Sequence, residues 1–336
     1  MDRHCFIIAE AGVNHNGSIE LALQLCDVAK KAGADAVKFQ TFRTENNVLK
    51  SCGWVDYQKE NMPEADSHWD MIKSLELTDE EFIRLKEYCD STGIEFISTP
   101  SERKSLKLLL DMGVKTIKLS SCDVSNIPLL RAAGRANRRI ILSTGMCTPE
   151  DINRAVEIIE EAGTVPENIT LLHCHSSYPT AFADVNLRVM NVMRDRFRLK
   201  VGFSDHTPGW EMSVAAAALG AEVIEKHFTL DKTMEGPDHK MSLDPRELTL
   251  FVAAIRNVET GMGDGIKRIS AAEQEVLKAY SRGIVAARDI AAGDVFTEDN
   301  ITVKRPCRGI DVRDWDNVIG RKAKRAFKPD EPVALD

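Results

Sequence analysis

The sequence predicts a (β/α)8 barrel followed by a small β-rich domain, and three observations carry that prediction. Between Phe6 and Phe228 a short, β-branched apolar run recurs eight times, each time ending in polar residues. Between the runs lie stretches whose apolar residues recur at helical spacing. Near Gly261 this alternation stops and the texture changes. Strands alternating with helices imply a parallel sheet. Polar residues at every strand end mark the mouth at which such barrels place their chemistry. A doubly wound open sheet would instead gather ligand residues at one switch point.

In chain order the runs are FIIAEAG, AVKFQTF, EFISTP, TIKLSS, RIILSTG, ITLLHCHS, KVGFSDHT and EVIEKHF, each too short for a helix. They finish on Glu10, Lys38 with Gln40, Thr99, Lys118 with Ser121, Ser143, Cys174 with His175, His206, and His227. The helices are expected in IELALQLCDVAKKAGA, SLKLLLDMGV, PEDINRAVEIIEEAG and WEMSVAAAALGA, where a glycine closes the last turn. The barrel should occupy residues 1–261, with a polar linker and short helix over 262–281. Residues 282–336 alternate short strands with DIAAGD-type turns. A domain that small sits near the lower limit for an independent core and is expected to lean on something larger.

The 336 residues carry a formal net charge of -8, which argues against broad nucleic-acid binding. A barrel-type strand starts by Phe6 and no apolar run is long enough to span a bilayer. No membrane association and a cytoplasmic location are therefore expected. The eight cysteines form no CxxC pair, so neither a structural zinc nor a disulfide framework is expected.

At these residues the chain resembles the sialic acid synthase family. The matching phrases are FIIAEAGVNHNG, GADAVKFQTF, FISTP, ILSTGM, GFSDHT, VIEKHFTLDKTMEGPDHKMSLDP, GDGIKR, FTEDNITVKRP and IGRKAKR. They span nearly the whole chain, and the last two resemble the antifreeze-like SAF domain that closes these synthases. The resemblance implies an enzyme that condenses phosphoenolpyruvate with an N-acyl hexosamine. The expected reaction takes N-acetylmannosamine to N-acetylneuraminate and phosphate. One alternative is a legionaminic or pseudaminic acid synthase using a 2,4-diacetamido-6-deoxy hexose. The other is a non-catalytic carbohydrate-binding protein on a barrel scaffold.

His206 and His227 end adjacent strands and match the family's metal ligands. Two imidazoles leave positions open for water and substrate, which suits a six-coordinate divalent ion. The resemblance implies manganese, with magnesium or cobalt as substitutes. Lys38 and Lys118 supply the cations an enol phosphate requires, and Thr99, Ser121, Ser143 and Ser204 supply hydroxyls where the family binds this substrate. A strand-end lysine could instead form an imine, but the two histidines would then lack a task. Glu10 is the candidate acid or base, or else the salt-bridge partner of Lys38. Two lysines and a metal nearby would favour its ionised form. Gln40, Tyr178 and Asp238 match the positions that hold the hexosamine. Arg305 matches an arginine that reaches across a domain-swapped homodimer to the sugar's N-acyl group.

Three departures from the family pattern fall at the mouth. Cys122 and catalytic candidate Asp123 stand where many relatives have glycine and glutamate. His175 and substrate-binding candidate Ser176 replace threonine, asparagine or serine, and Ser101 replaces phenylalanine. They leave the condensation plausible and put the sugar's identity in question.

Overall fold

The structure is a computed structural model that describes residues 4–53, 56–62 and 65–335. Eight strands, β1 (Phe6–Gly12), β2 (Ala36–Thr41), β3 (Glu95–Pro100), β4 (Thr116–Leu119), β5 (Arg139–Ser143), β6 (Ile169–Cys174), β7 (Lys200–Asp205) and β8 (Val223–His227), close into one parallel barrel. Closure is made by β1 against β8, with Glu10 beside His227, while on its other side Glu10 lies beside Lys38 of β2. Register therefore levels the polar strand ends. Gln40 pairs with Thr99, Cys174 with Ser204, and Ser204 with Glu225.

Alternation sorts each strand into two faces. One set of side chains, including Ile8, Ile97, Ile141 and Leu172, fills the barrel interior beneath the polar ends. The other set packs outward against the helices in one continuous core. Local signals start and stop those helices. Ser18 caps Ile19–Ala32, and Gly33 ends it in the left-handed conformation that a side chain disfavours. Thr148 and Asp151 form a capping box at Pro149–Glu161. At Gly202 a Cβ would lie 2.2 Å from the carbonyl oxygen of Val223, so the approach of β7 to β8 requires glycine there.

Between β2 and β3 the chain makes short helices at Thr44–Asn47, Asp56–Asn61 and His68–Ser74 before the longer Asp79–Thr92. The chain divides into two compact units, Met1–Asp264 and Gly265–Asp336. The second contains the helix Ala271–Tyr280 and an antiparallel pair, β9 (Gly283–Ala286) with β10 (Ile301–Lys304). It has its own small core, in which Ile284, Phe296, Ile301, Phe327 and Val333 are all buried. Among the described residues no helix is long and apolar enough to cross a membrane.

Candidate functional site

The C-terminal mouth of the barrel opens on a cavity of about 440 Å3. Another cavity, of about 340 Å3, lies at the opposite strand ends around Asp35, Glu95 and Lys115, and holds none of the predicted site residues. At the mouth, alternation and register deliver two buried lysines to one floor. Lys38 Nζ lies 2.9 Å from Glu10 Oε1 and donates to Thr99 Oγ1 at 3.3 Å. Lys118 Nζ donates to Ser143 Oγ at 2.7 Å.

Both lysines share a partner that the sequence reading missed. Glu225 of β8 places Oε2 3.6 Å from Lys38 and Oε1 3.6 Å from Lys118, and accepts a hydrogen bond from Ser204 Oγ at 3.0 Å. The signal was available, because Glu225 is two residues before His227 and a strand turns both to the same face. Burial opposes ionisation of Glu225, but Lys118 and Lys38 outweigh it and hold the carboxyl below its ordinary range. Burial pushes the Glu10 carboxyl up to about 7 against the pull of Lys38, with the Glu225 charge adding to the rise. Glu225 thus carries the firmer negative charge, and burial together with that charge opposes a second one on Glu10. Burial pushes Lys118 down, whereas at Lys38 the two carboxylates overcome burial and raise its pKa.

His206 and His227 face each other with ring centroids 5.5 Å apart. His206 Nδ1 lies 2.7 Å from the carbonyl oxygen of His175. Donation along that contact leaves Nε2 with a free lone pair. Burial lowers the pKa of His206 to about 4 and that of His227 well below its usual value, so both rings are neutral at neutral pH. His227 Nδ1 is buried and has no hydrogen-bond partner, with Asp238 Oδ2 4.0 Å away. Neutral imidazoles and an orphaned ring nitrogen fit a divalent cation. Among the described residues no group of three or more His, Cys, Asp or Glu side chains is placed to hold one. A cation held here would take this pair of imidazoles from the protein.

The remaining candidates lie around this centre. Tyr178 lies tilted against His206 at 4.1 Å between centroids, and Gln40 lines the same cavity. Asp238 is buried, which pushes its carboxyl up to about 6. Asp123 lines the rim and accepts hydrogen bonds from Ser120 Oγ at 2.8 Å and Asn126 Nδ2 at 2.9 Å. Ser121 Oγ accepts from the Gly145 amide at 2.9 Å. A Cβ on Gly145 would lie 2.4 Å from Ser176 Oγ and 3.1 Å from Ser121 Oγ, so this glycine gives the two hydroxyls their room. The His175 side chain turns back on its own loop, where its Nδ1 accepts from the Ser177 amide at 3.2 Å. Arg305 belongs to the second unit, where its guanidinium lies over the Tyr280 ring at 4.8 Å.

Comparison with known proteins gives a consistent neighbourhood. Residues 25–267 match the NeuB family and residues 281–336 match the SAF domain. The N,N'-diacetyllegionaminic acid synthase of Campylobacter jejuni is 43% identical over 97% of this chain and 98% of its own. The enzyme of the same name from Legionella pneumophila is 41% identical over 95% of this chain and 90% of its own. Among solved structures, an N-acetylneuraminic acid synthetase from Leptospira borgpetersenii superposes with a TM-score of 0.73 at 36% identity, covering 82% of this chain and 91% of that one.

Proposed function

Because the chain belongs to the NeuB family, and is thus a phosphoenolpyruvate-dependent synthase that forms a carbon–carbon bond, we propose that its acceptor is a 2,4-diacetamido-6-deoxy hexose and its product a diacetylated legionaminic-type acid. This replaces the N-acetylmannosamine expected from sequence. The observation that carries it is the pair of relatives named N,N'-diacetyllegionaminic acid synthase, at 43% and 41% identity over nearly full length.

Lys38, Lys118, Thr99 and Ser143 bind the phosphate and carboxylate of phosphoenolpyruvate, with Ser121, Ser176 and Ser204 completing the hydroxyl lining. Glu225 balances the lysines when the anion is absent. Gln40, Tyr178 and Asp238 orient the open-chain sugar, and Asp123 bounds the rim. His206 and His227 hold a divalent ion, for which we propose manganese, and that ion supplies Lewis-acid polarisation of the aldehyde. C3 of phosphoenolpyruvate bonds to the aldehyde carbon and water adds at C2. The C2–oxygen bond to phosphate then breaks, leaving the 2-keto group. Of the two protons of water, one ends on the former aldehyde oxygen and one on phosphate. Glu10, titrating near neutrality, is suited to hold the proton in transit.

The test is phosphate release from phosphoenolpyruvate with Mn2+ and a panel of N-acyl hexosamines. Turnover with the 2,4-diacetamido sugar well above that with N-acetylmannosamine supports the assignment. A preference for N-acetylmannosamine overturns the acceptor, and no release with any sugar overturns the activity.

A further inference from the structure

Beside the main cavity, and continuous with it through Gln40, Tyr178 and His227, lies a side cleft of about 170 Å3. One side of it is apolar, formed by Val13, Phe42, Met71 and Leu75, which pack as a cluster separate from the main core, while Asn47, Ser101 and Asp238 give the rest of the wall polar groups. That volume equals on the order of five water volumes, which suits a few non-hydrogen atoms rather than a second sugar ring. Besides His227 Nδ1, the wall holds another unsatisfied polar atom: Gln58 Oε1 is buried and has no hydrogen-bond partner. The helix Asp56–Asn61 that carries it is tied to the loop of Asp238, because Asn61 Nδ2 donates to the Pro237 carbonyl at 2.8 Å.

We infer that this cleft reads the far end of the acceptor sugar, with Val13 and Met71 packing against methyl groups and Gln58 Oε1 accepting an amide N–H. The assignment rests on the condensing activity proposed above and names the residues that choose its acceptor. Three observations converge on it. The cleft adjoins the paired histidines, so a sugar with its aldehyde there can extend into the cleft. A hydroxymethyl or phosphorylated end turned to the apolar side would set polar atoms against Val13, Phe42 and Met71, which costs free energy. A deoxy carbon and an acetamido methyl are apolar, while the adjoining amide N–H meets the orphaned acceptor.

The experiment measures kcat/KM for the 2,4-diacetamido-6-deoxy sugar and for N-acetylmannosamine, in wild type, Gln58→Leu and Val13→Thr, with melting temperature as the folding control. Discrimination by apolar contact and a hydrogen bond puts the wild-type ratio at about a hundredfold or more. Gln58→Leu should lower that ratio about tenfold through KM for the sugar, leaving KM for phosphoenolpyruvate unmoved, and Val13→Thr should lower it in the same direction. Comparable turnover of both sugars, or a ratio unmoved in two folded variants, overturns the cleft and leaves the condensing activity standing. If neither sugar releases phosphate, the proposed activity fails, and calorimetric binding of the two sugars to the Mn2+-loaded protein decides the cleft by itself. Binding of the diacetamido sugar at least tenfold tighter than N-acetylmannosamine supports it, and equal binding overturns it.

Discussion

Replacing Glu225 by glutamine keeps the shape of the floor and removes its charge, and two measurements should then move in opposite directions. Glu225 faces two ammonium groups, each at 3.6 Å and all three side chains at most 5% exposed. At an effective dielectric of about 20, each such pair is worth roughly 4 to 5 kcal/mol before desolvation. Breaking one partner of a buried pair costs about 3 to 5 kcal/mol in practice. The loss is bounded, because Lys118, already pushed down by burial, can shed its proton. Neutralising a lysine of ordinary pKa at pH 7 costs about 4.6 kcal/mol. A barrel unit of this size loses about 2 to 4 °C per kcal/mol. Glu225→Gln should therefore melt roughly 10 °C below wild type without ligand, by calorimetry in phosphate-free buffer. Phosphoenolpyruvate should bind more tightly to the variant, since its charge no longer displaces a carboxylate, and saturating ligand should recover much of the lost stability. An unchanged melting temperature, or weaker phosphoenolpyruvate binding in a folded variant, would refute the role of Glu225 as internal counter-ion.

Chelation by EDTA should abolish turnover and Mn2+ should restore it, while His206→Ala should lose metal affinity measured by calorimetry; full activity in metal-free buffer would count against the histidine pair. Borohydride added with substrates should leave Lys38 and Lys118 unmodified by mass spectrometry, because both are engaged by carboxylate and hydroxyl partners, and a stable adduct on either would point to imine chemistry. Mixing Arg305→Ala with His206→Ala after subunit exchange should regenerate activity if the arginine serves a partner's site in a domain-swapped homodimer, and failure to complement would place its role within its own chain or nowhere. The buried ring of His15 has its pKa lowered to about 4 by burial, with His239 adding to the shift. A depressed pKa means its contribution, about 3 kcal/mol, is complete above pH 6.5 and is lost as pH falls through 4. Urea midpoints should fall across that window, less steeply in His15→Gln, and equal slopes would remove His15 as a cause.

The barrel was legible because each strand repeats the same contrast, an apolar body and a polar end, which neighbouring helices cannot disguise. Lys38, Lys118, His206 and His227 were legible for the same reason, each standing at the end of such a run. Glu225 is harder to read, since it lies inside its strand between Ile224 and Lys226, where only the two-residue alternation with His227 betrays its direction. The protonation of Glu10 could not be read from neighbouring lysines alone. Its outcome depends on burial and on the very carboxylate that was missed, whose negative charge opposes a second one on the same floor. The short helices between β2 and β3 were equally hidden, being too brief to show helical periodicity. Yet they carry Gln58 and Met71 to the side cleft. On the proposed reading, the residues for phosphoenolpyruvate stand on the regular strand ends, while the cleft that chooses among sugars draws on irregular segments whose pattern is visible only once they are folded. Substitutions between residues 44 and 74 should accordingly shift acceptor preference with phosphoenolpyruvate binding intact, whereas changes at Lys38 or Lys118 should weaken phosphoenolpyruvate binding whichever sugar is offered.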